Sequence, residues 1–137
     1  MSTAEDVTGT SSTPGAHRAR PGEYFFDMPR LNAIPGGPDY SSVFGGVVEG
    51  DRMIAGMMRM PAGTGAEPHS HPNEQWILVL EGTLDMTVGD ERRLVGPREV
   101  VYVPSNVVHS SKAAPGEDVV FFTIKDNSWG LYGIRED

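Results

Sequence analysis

Glycine and proline interrupt this chain so often that long helices have no room. Together they make 28 of 137 residues, about a fifth, against a usual ~12 %. Between the breaks lie short runs in which valine, 14 residues, outnumbers leucine, 6 residues. β-Branched side chains pack well on a pleated surface and poorly in a helix. The runs read as strands over 43–48, 52–60, 74–80, 83–88, 92–95, 100–103, 108–112 and 118–125, with Gly89-Asp90 as a hairpin turn. No stretch keeps a helical period for three turns. The expectation is an all-β domain, a sandwich or a closed barrel.

A chain of 137 residues suits one domain. Its net charge of −8 argues against a nucleic-acid backbone or an anionic membrane surface as the main partner, since both need a positive face. The longest apolar run, Trp76 to Leu80, is far below the ~20 residues that span a bilayer. The first twenty residues have no apolar core of the export-signal kind, so a cytoplasmic location is expected. The absence of cysteine excludes disulfides, thiolate zinc sites and a cysteine nucleophile. Residues 1–22 contain twelve Ser, Thr, Gly or Pro and read as a flexible tail, with His17 solvated. The apolar cluster Tyr24, Phe25 and Phe26 marks the start of a domain over 23–137.

Three of the four histidines fall in two informative places. His69 and His71 lie two apart in extended chain, so both rings point to one side. Continuing the alternation, Gln75, Ile77 and Val79 share that face, while Glu74 and Trp76 point away. A bulge of one residue would instead turn Glu74 inward. His109 follows Pro104-Ser105-Asn106, and a strand that far along a closed sheet can return beside the first. Three imidazoles and an amide oxygen meeting in an apolar barrel make an open divalent-metal site. Tyr102, Arg59 and Trp129 are candidate pocket or rim residues. The run Met53, Met57, Met58 and Met60 reads as core or pocket lining, because methionine fills irregular apolar gaps.

At these residues the sequence resembles the cupins. Gly63, His69, His71, Gln75 and Gly82 fall at the spacings of the first cupin motif, with Gln where Glu is usual. Pro104, Asn106 and His109 fit the second, with Asn106 at a glycine position. Arg98 stands at the other glycine position, and Gly96-Pro97 is expected to supply that turn. The resemblance covers residues 43–125 and implies a single-domain jelly-roll barrel. It also implies one divalent ion, Mn, Fe, Co, Ni or Zn, on His69, His71, Gln75 and His109.

With glutamine in place of glutamate the ion and its ligands carry +2 rather than +1. A more positive centre polarises a bound carbonyl more strongly and stabilises an oxidised metal less. Lewis-acid chemistry follows as the expectation: lyase, isomerase or cyclase action on a small oxygenated carbonyl or enol substrate. Short cupins with a glutamine ligand include ring-opening enzymes of unsaturated sugar acids, lyases and aromatic polyketide cyclases. Tyr102, Glu74 or water activated by the ion are the candidate bases. A non-haem dioxygenase and a non-catalytic small-molecule-binding module are the two rival readings. Outward-facing Trp76 and Leu78, with family habit, suggest a homodimer.

Overall fold

The structure is a computed structural model and describes residues 13–136. Its strands are β1 (His17–Arg18), β2 (Ile34–Pro35), β3 (Phe44–Glu49), β4 (Met53–Met60), β5 (Gly65–Ser70), β6 (Gln75–Glu81), β7 (Leu84–Val88), β8 (Glu91–Val95), β9 (Val100–Val103), β10 (His109–Ala113), β11 (Val119–Asp126) and β12 (Ile134–Arg135). One short helix, α1 (Met28–Leu31), precedes β2. The larger sheet runs β9-β6-β11-β4-β3-β1, with β2 also paired to β3; the smaller runs β12-β5-β10-β7-β8.

The two sheets face each other as a jelly roll rather than closing into one continuous barrel. Their inner faces share one core: Val47, Ile54, Met58, Ile77 and Val79 come from the larger sheet, Leu84, Met86, Val95 and Ala113 from the smaller. Each of the larger side chains among them stabilises the fold by about 1.5–3 kcal/mol through the apolar surface it removes from water. Period-two alternation is kept along β6, where Gln75, Ile77 and Val79 are buried and Trp76 and Leu80 are exposed. Along β4, Met58 and Met60 face in, whereas Met53 is 55 % exposed.

Every strand read from the sequence is present, within a residue or two at its ends. β5 is an addition. Its alternation breaks at Glu67-Pro68, both exposed, between buried Ala66 and buried His69. There β10 pairs His109 with His69 but Ser111 with Ala66, a β-bulge. Proline cannot donate to a ladder and belongs at such irregularities. The bulge is why the segment does not read as a strand, and it returns His69 to the inner face.

The N-terminal boundary is corrected. Residues 1–12 of the expected tail lie outside the described residues. From Thr13 onward the chain lies on the larger sheet: His17 and Arg18 pair in parallel with Val48 and Glu49, and Thr13 is buried. His17 is half-buried rather than solvated; its Nε2 lies 2.9 Å from Glu23 Oε1 and its ring packs edge-on to Phe26. Backbone groups of an edge strand accept almost any sequence, so composition did not signal this pairing. Conversely, Tyr24 and Phe25 are 76 % and 92 % exposed and mark no core.

The turns that carry the second motif hold their shape without glycine. Asn106 has φ 65° and Arg98 φ 73°. Arg98 itself therefore makes the left-handed turn expected of Gly96-Pro97, with its N–H donating to Val79 O at 2.9 Å. The left-handed region costs a residue with a Cβ about 1–2 kcal/mol. Glycine escapes most of that but loses more entropy on folding. Arg98→Gly is therefore expected to raise the unfolding free energy by up to about 1 kcal/mol, and Arg98→Val to lower it, as read by urea denaturation.

Candidate metal centre

β5 and β10 lie side by side with His69 directly opposite His109. Their rings are 4.2 Å apart between centroids, and His71, just past the end of β5, brings its ring to 4.9 Å from that of His109. One ring nitrogen from each of the three lies within 4.8 Å of the others. All three side chains are buried. The sequence expectation that His109 returns beside His69 and His71 is met by this pairing.

Each ring is locked by a backbone carbonyl on its far side. Nδ1 of His69 donates to Glu67 O at 2.6 Å, Nδ1 of His71 to Asn73 O at 2.9 Å, and Nδ1 of His109 to Val107 O at 2.9 Å. A carbonyl only accepts, so the proton sits on Nδ1 and the Nε2 lone pair is left for the cluster. Nε2 of His109 is buried with no hydrogen-bond partner.

Gln75 adds a fourth acceptor. Its Nε2 donates to Thr123 Oγ1 at 2.9 Å, and that hydroxyl donates in turn to Trp76 O at 2.9 Å. The amide is thereby oriented, and its Oε1 lies 3.1 Å from His71 Nε2. Two lone pairs face each other across that gap. Such an arrangement repels unless a cation lies among them, and the donor set, imidazole nitrogen with one amide oxygen, suits a first-row divalent ion. The residues fit a metal.

Burial sets the protonation state. It pushes His69 down to about 4, with the nearby Lys125 charge adding to the effect. His71 falls to about 4 for the same two reasons in the same order. His109 falls to about 3 through burial and then the neighbouring His69. All three are neutral, the form that binds metal.

The wall contains a residue the sequence reading missed. Lys125 is 5 % exposed, pairs with Gln75 across β11 and β6, and lines the same cavity as His69, Gln75 and His109. Its Nζ donates to Leu131 O at 2.5 Å, and burial pushes its pKa down to about 7. The signal was available, because Val119, Phe121, Thr123 and Lys125 alternate inward along β11. Tyr40 stacks on His69 with centroids 4.0 Å apart and accepts from Gly133 N–H at 2.7 Å. Asn73, fully buried, donates through Nδ2 to Asp126 O, Trp129 O and Gly130 O and so pins the C-terminal segment whose Leu131 lines the cavity.

Glu74 and Tyr102 are not brought to the histidines. Both are exposed on the outer face, where the Tyr102 hydroxyl donates to Glu74 at 3.0 Å and the ring packs on Trp76. The period of two that turns Gln75 in turns them out. Arg59 is likewise exposed and pairs with Asp118 at 3.0 Å, and Trp129 donates through Nε1 to Tyr132 O at the surface. None of these four lines the cavity.

Residues 56–125 match the cupin domain family. The H2HPP isomerase of Bacillus subtilis is 35 % identical over 105 residues, which are 75 % of this chain and 42 % of that protein. The chain thus spans less than half the length of that relative. Among solved structures, the polyketide cyclase RemF from Streptomyces resistomycificus superposes with a TM-score of 0.67 at 22 % identity over 75 % of this chain and 78 % of that one. KdgF from Halomonas sp. gives a TM-score of 0.66 at 18 % identity over 76 % and 93 %. At those identities the two structures establish the shared fold. No described helix is long and apolar enough to cross a membrane.

The histidine pKa values carry a sign that can be measured. Each lies below the 6.5 of an ordinary imidazole, so the unfolded chain takes up protons first as pH falls. In chelator-treated protein this stabilising contribution is complete above about pH 6.5 and is lost progressively toward pH 4. Thermal melts in EDTA should descend over that window, and more shallowly in His109→Gln. Identical slopes for the two proteins would contradict the buried neutral state.

Proposed function

The chain belongs to the cupin family, and from that membership we propose that it is a divalent-metal-dependent enzyme acting as a Lewis-acid lyase, isomerase or cyclase on a small oxygenated carbonyl or enol substrate. The observation that carries the reading is the convergence of the Nε2 atoms of His69, His71 and His109 with Gln75 Oε1, every opposite end of which is held by a protein partner. An ion bound there supplies Lewis acidity toward an oxygen of the substrate.

The chain's own groups do the rest. The three neutral imidazoles and the neutral amide leave the ion's charge undiminished, whereas a carboxylate would cancel part of it. Met58, Met60, Ile77, Met86 and Phe121 line the cavity and keep bulk water from the reacting centre. Nδ1 of each histidine stays committed to its carbonyl, so none of the three rings is free to carry a substrate proton. The relative named an isomerase supports chemistry without net oxidation, and the one named a polyketide cyclase supports a carbonyl-bearing substrate. The outward Trp76, 47 % exposed, beside Tyr102 supports a homodimer through this sheet face.

The ligand set is tested by metal content. Elemental analysis should find about one divalent ion per chain, with His71→Ala and His109→Ala each stripping it. Gln75→Ala should weaken binding by about 10- to 100-fold and Glu74→Ala leave it unchanged. Loss of metal in Glu74→Ala with retention in Gln75→Ala would reverse the assignment.

The reaction class is tested by the ion. Protein stripped of metal and reloaded with Zn(II), which has no redox chemistry, should exchange deuterium from solvent at the carbon beside a substrate carbonyl, followed by NMR. Turnover restored only by Fe(II) with uptake of oxygen would establish a dioxygenase instead.

A further inference from the structure

The cavity lined by His69, His109 and Gln75 has a charge imbalance. Its lining includes one basic side chain, Lys125, which is an ammonium when protonated, and no aspartate or glutamate among the described residues. Lys125 is 5 % exposed and is no ion-pair partner among the described residues; its hydrogen bond goes to a single backbone carbonyl, Leu131 O. A lysine ammonium has three N–H donors, so two remain for the cavity. Buried cations are ordinarily paired, because removing a charge from water is costly without a partner. Here the described residues supply none.

Position matters as much as charge. Lys125 sits on β11 directly across from Gln75 on β6, both facing inward. Its charge is felt by all three histidines. A divalent ion on neutral ligands would add a second uncompensated positive centre a short way from the first. The remaining lining is apolar or neutral, as with Met58, Met86, Phe121 and Ser111. Two positive centres in a small apolar enclosure call for an anion that reaches both.

We propose that Lys125 is the specificity-determining residue of the site, and that the substrate is a small carboxylic acid bearing a carbonyl or hydroxyl oxygen on the adjoining carbon. The inference rests on the metal-site reading above and narrows its substrate class. The carboxylate accepts from Lys125 Nζ, and the neighbouring oxygen is left for the metal-binding cluster. The ammonium keeps its bond to Leu131 O, which aims it from the strap over residues 127–133. That strap is itself held by Asn73 Nδ2, by Thr13 Oγ1 accepting from Leu131 N–H, and by the Tyr40 hydroxyl accepting from Gly133 N–H. Lys125 is thus a fixed donor rather than a flexible surface amine.

The test compares pyruvate with pyruvamide, which have the same shape and differ in charge, by calorimetric titration into Co(II)-loaded and metal-free protein. Wild type should bind pyruvate about 10- to 100-fold more tightly than pyruvamide, the range of a charge-assisted hydrogen bond. Lys125→Met should lose that preference while pyruvamide affinity and the Co(II) visible bands stay as in wild type. Lys125→Arg should keep a preference for the anion. Equal affinity of wild type for the two probes, or a preference that survives Lys125→Met, overturns the proposal. Absence of Co(II) bands in wild type would overturn the metal-site reading separately, and the metal-free titrations would then decide on Lys125 with the same pair. If Lys125→Met melts below the assay temperature, Lys125→Gln carries the same comparison.

Discussion

The chemistry of this protein hangs on the register of one strand pair. His69 and His109 face each other because β10 runs antiparallel to β5 with a bulge at Glu67-Pro68. Had the pairing slipped by one residue, every side chain of β10 would exchange faces, and His109 would point to solvent. The pairing is held from both sides, since β10 also runs in unbroken register with β7 from His109 opposite Val88 to Ala113 opposite Leu84. The second motif is tied to the first by another contact: Asn106, in its left-handed turn, donates its N–H to His71 O at 2.9 Å. A backbone network thus places three rings from distant parts of the chain before any metal enters.

That placement has a thermodynamic cost. Three imidazoles are held neutral where water would rather hydrate them, and Nε2 of His109 has no partner among the described residues. A buried polar atom left unsatisfied costs about 1–3 kcal/mol, against a total stability of about 5–15 kcal/mol for a domain. Apolar side chains on the same strands would fold more stably. The three Nδ1–carbonyl bonds recover part of the loss and fix the tautomer. The uncompensated half of each ring is the half that faces the cluster. Packing alone would not arrange three rings in this way.

Much of this was legible in the sequence, and the exceptions have physical reasons. Alternation along 74–80 located Gln75 inside and Glu74 outside, because a half-buried strand writes its faces into its sequence. The histidine spacings gave the cluster. The tail from Thr13 was misread because parallel pairing of His17 and Arg18 uses backbone groups, which composition does not encode. β5 was hidden by its own bulge. Arg98 was judged by propensity, and propensity gave way to a turn that the surrounding strands impose. Lys125 is hard to read for a different reason: lysine is so often at the surface that residue type argues against the inward parity it has on β11. Strand parity sends Glu74 and Tyr102, the candidate bases, to the other side of the sheet.

The net charge of −8 invites the conclusion that the protein avoids anions, and the interior argues otherwise. Many of the acidic residues lie at the surface, where several are already paired with arginine, as in Arg92 with Asp85, Arg93 with Glu91 and Arg135 with Glu67. At physiological ionic strength such charges are screened beyond about 8 Å. Lys125 and the three histidines are buried, where charges are screened less, so a protonated Lys125 acts on all three rings. The sign of the ligand is therefore set by the few charges that share its enclosure. Composition governs solubility and encounter; the cavity wall governs what stays.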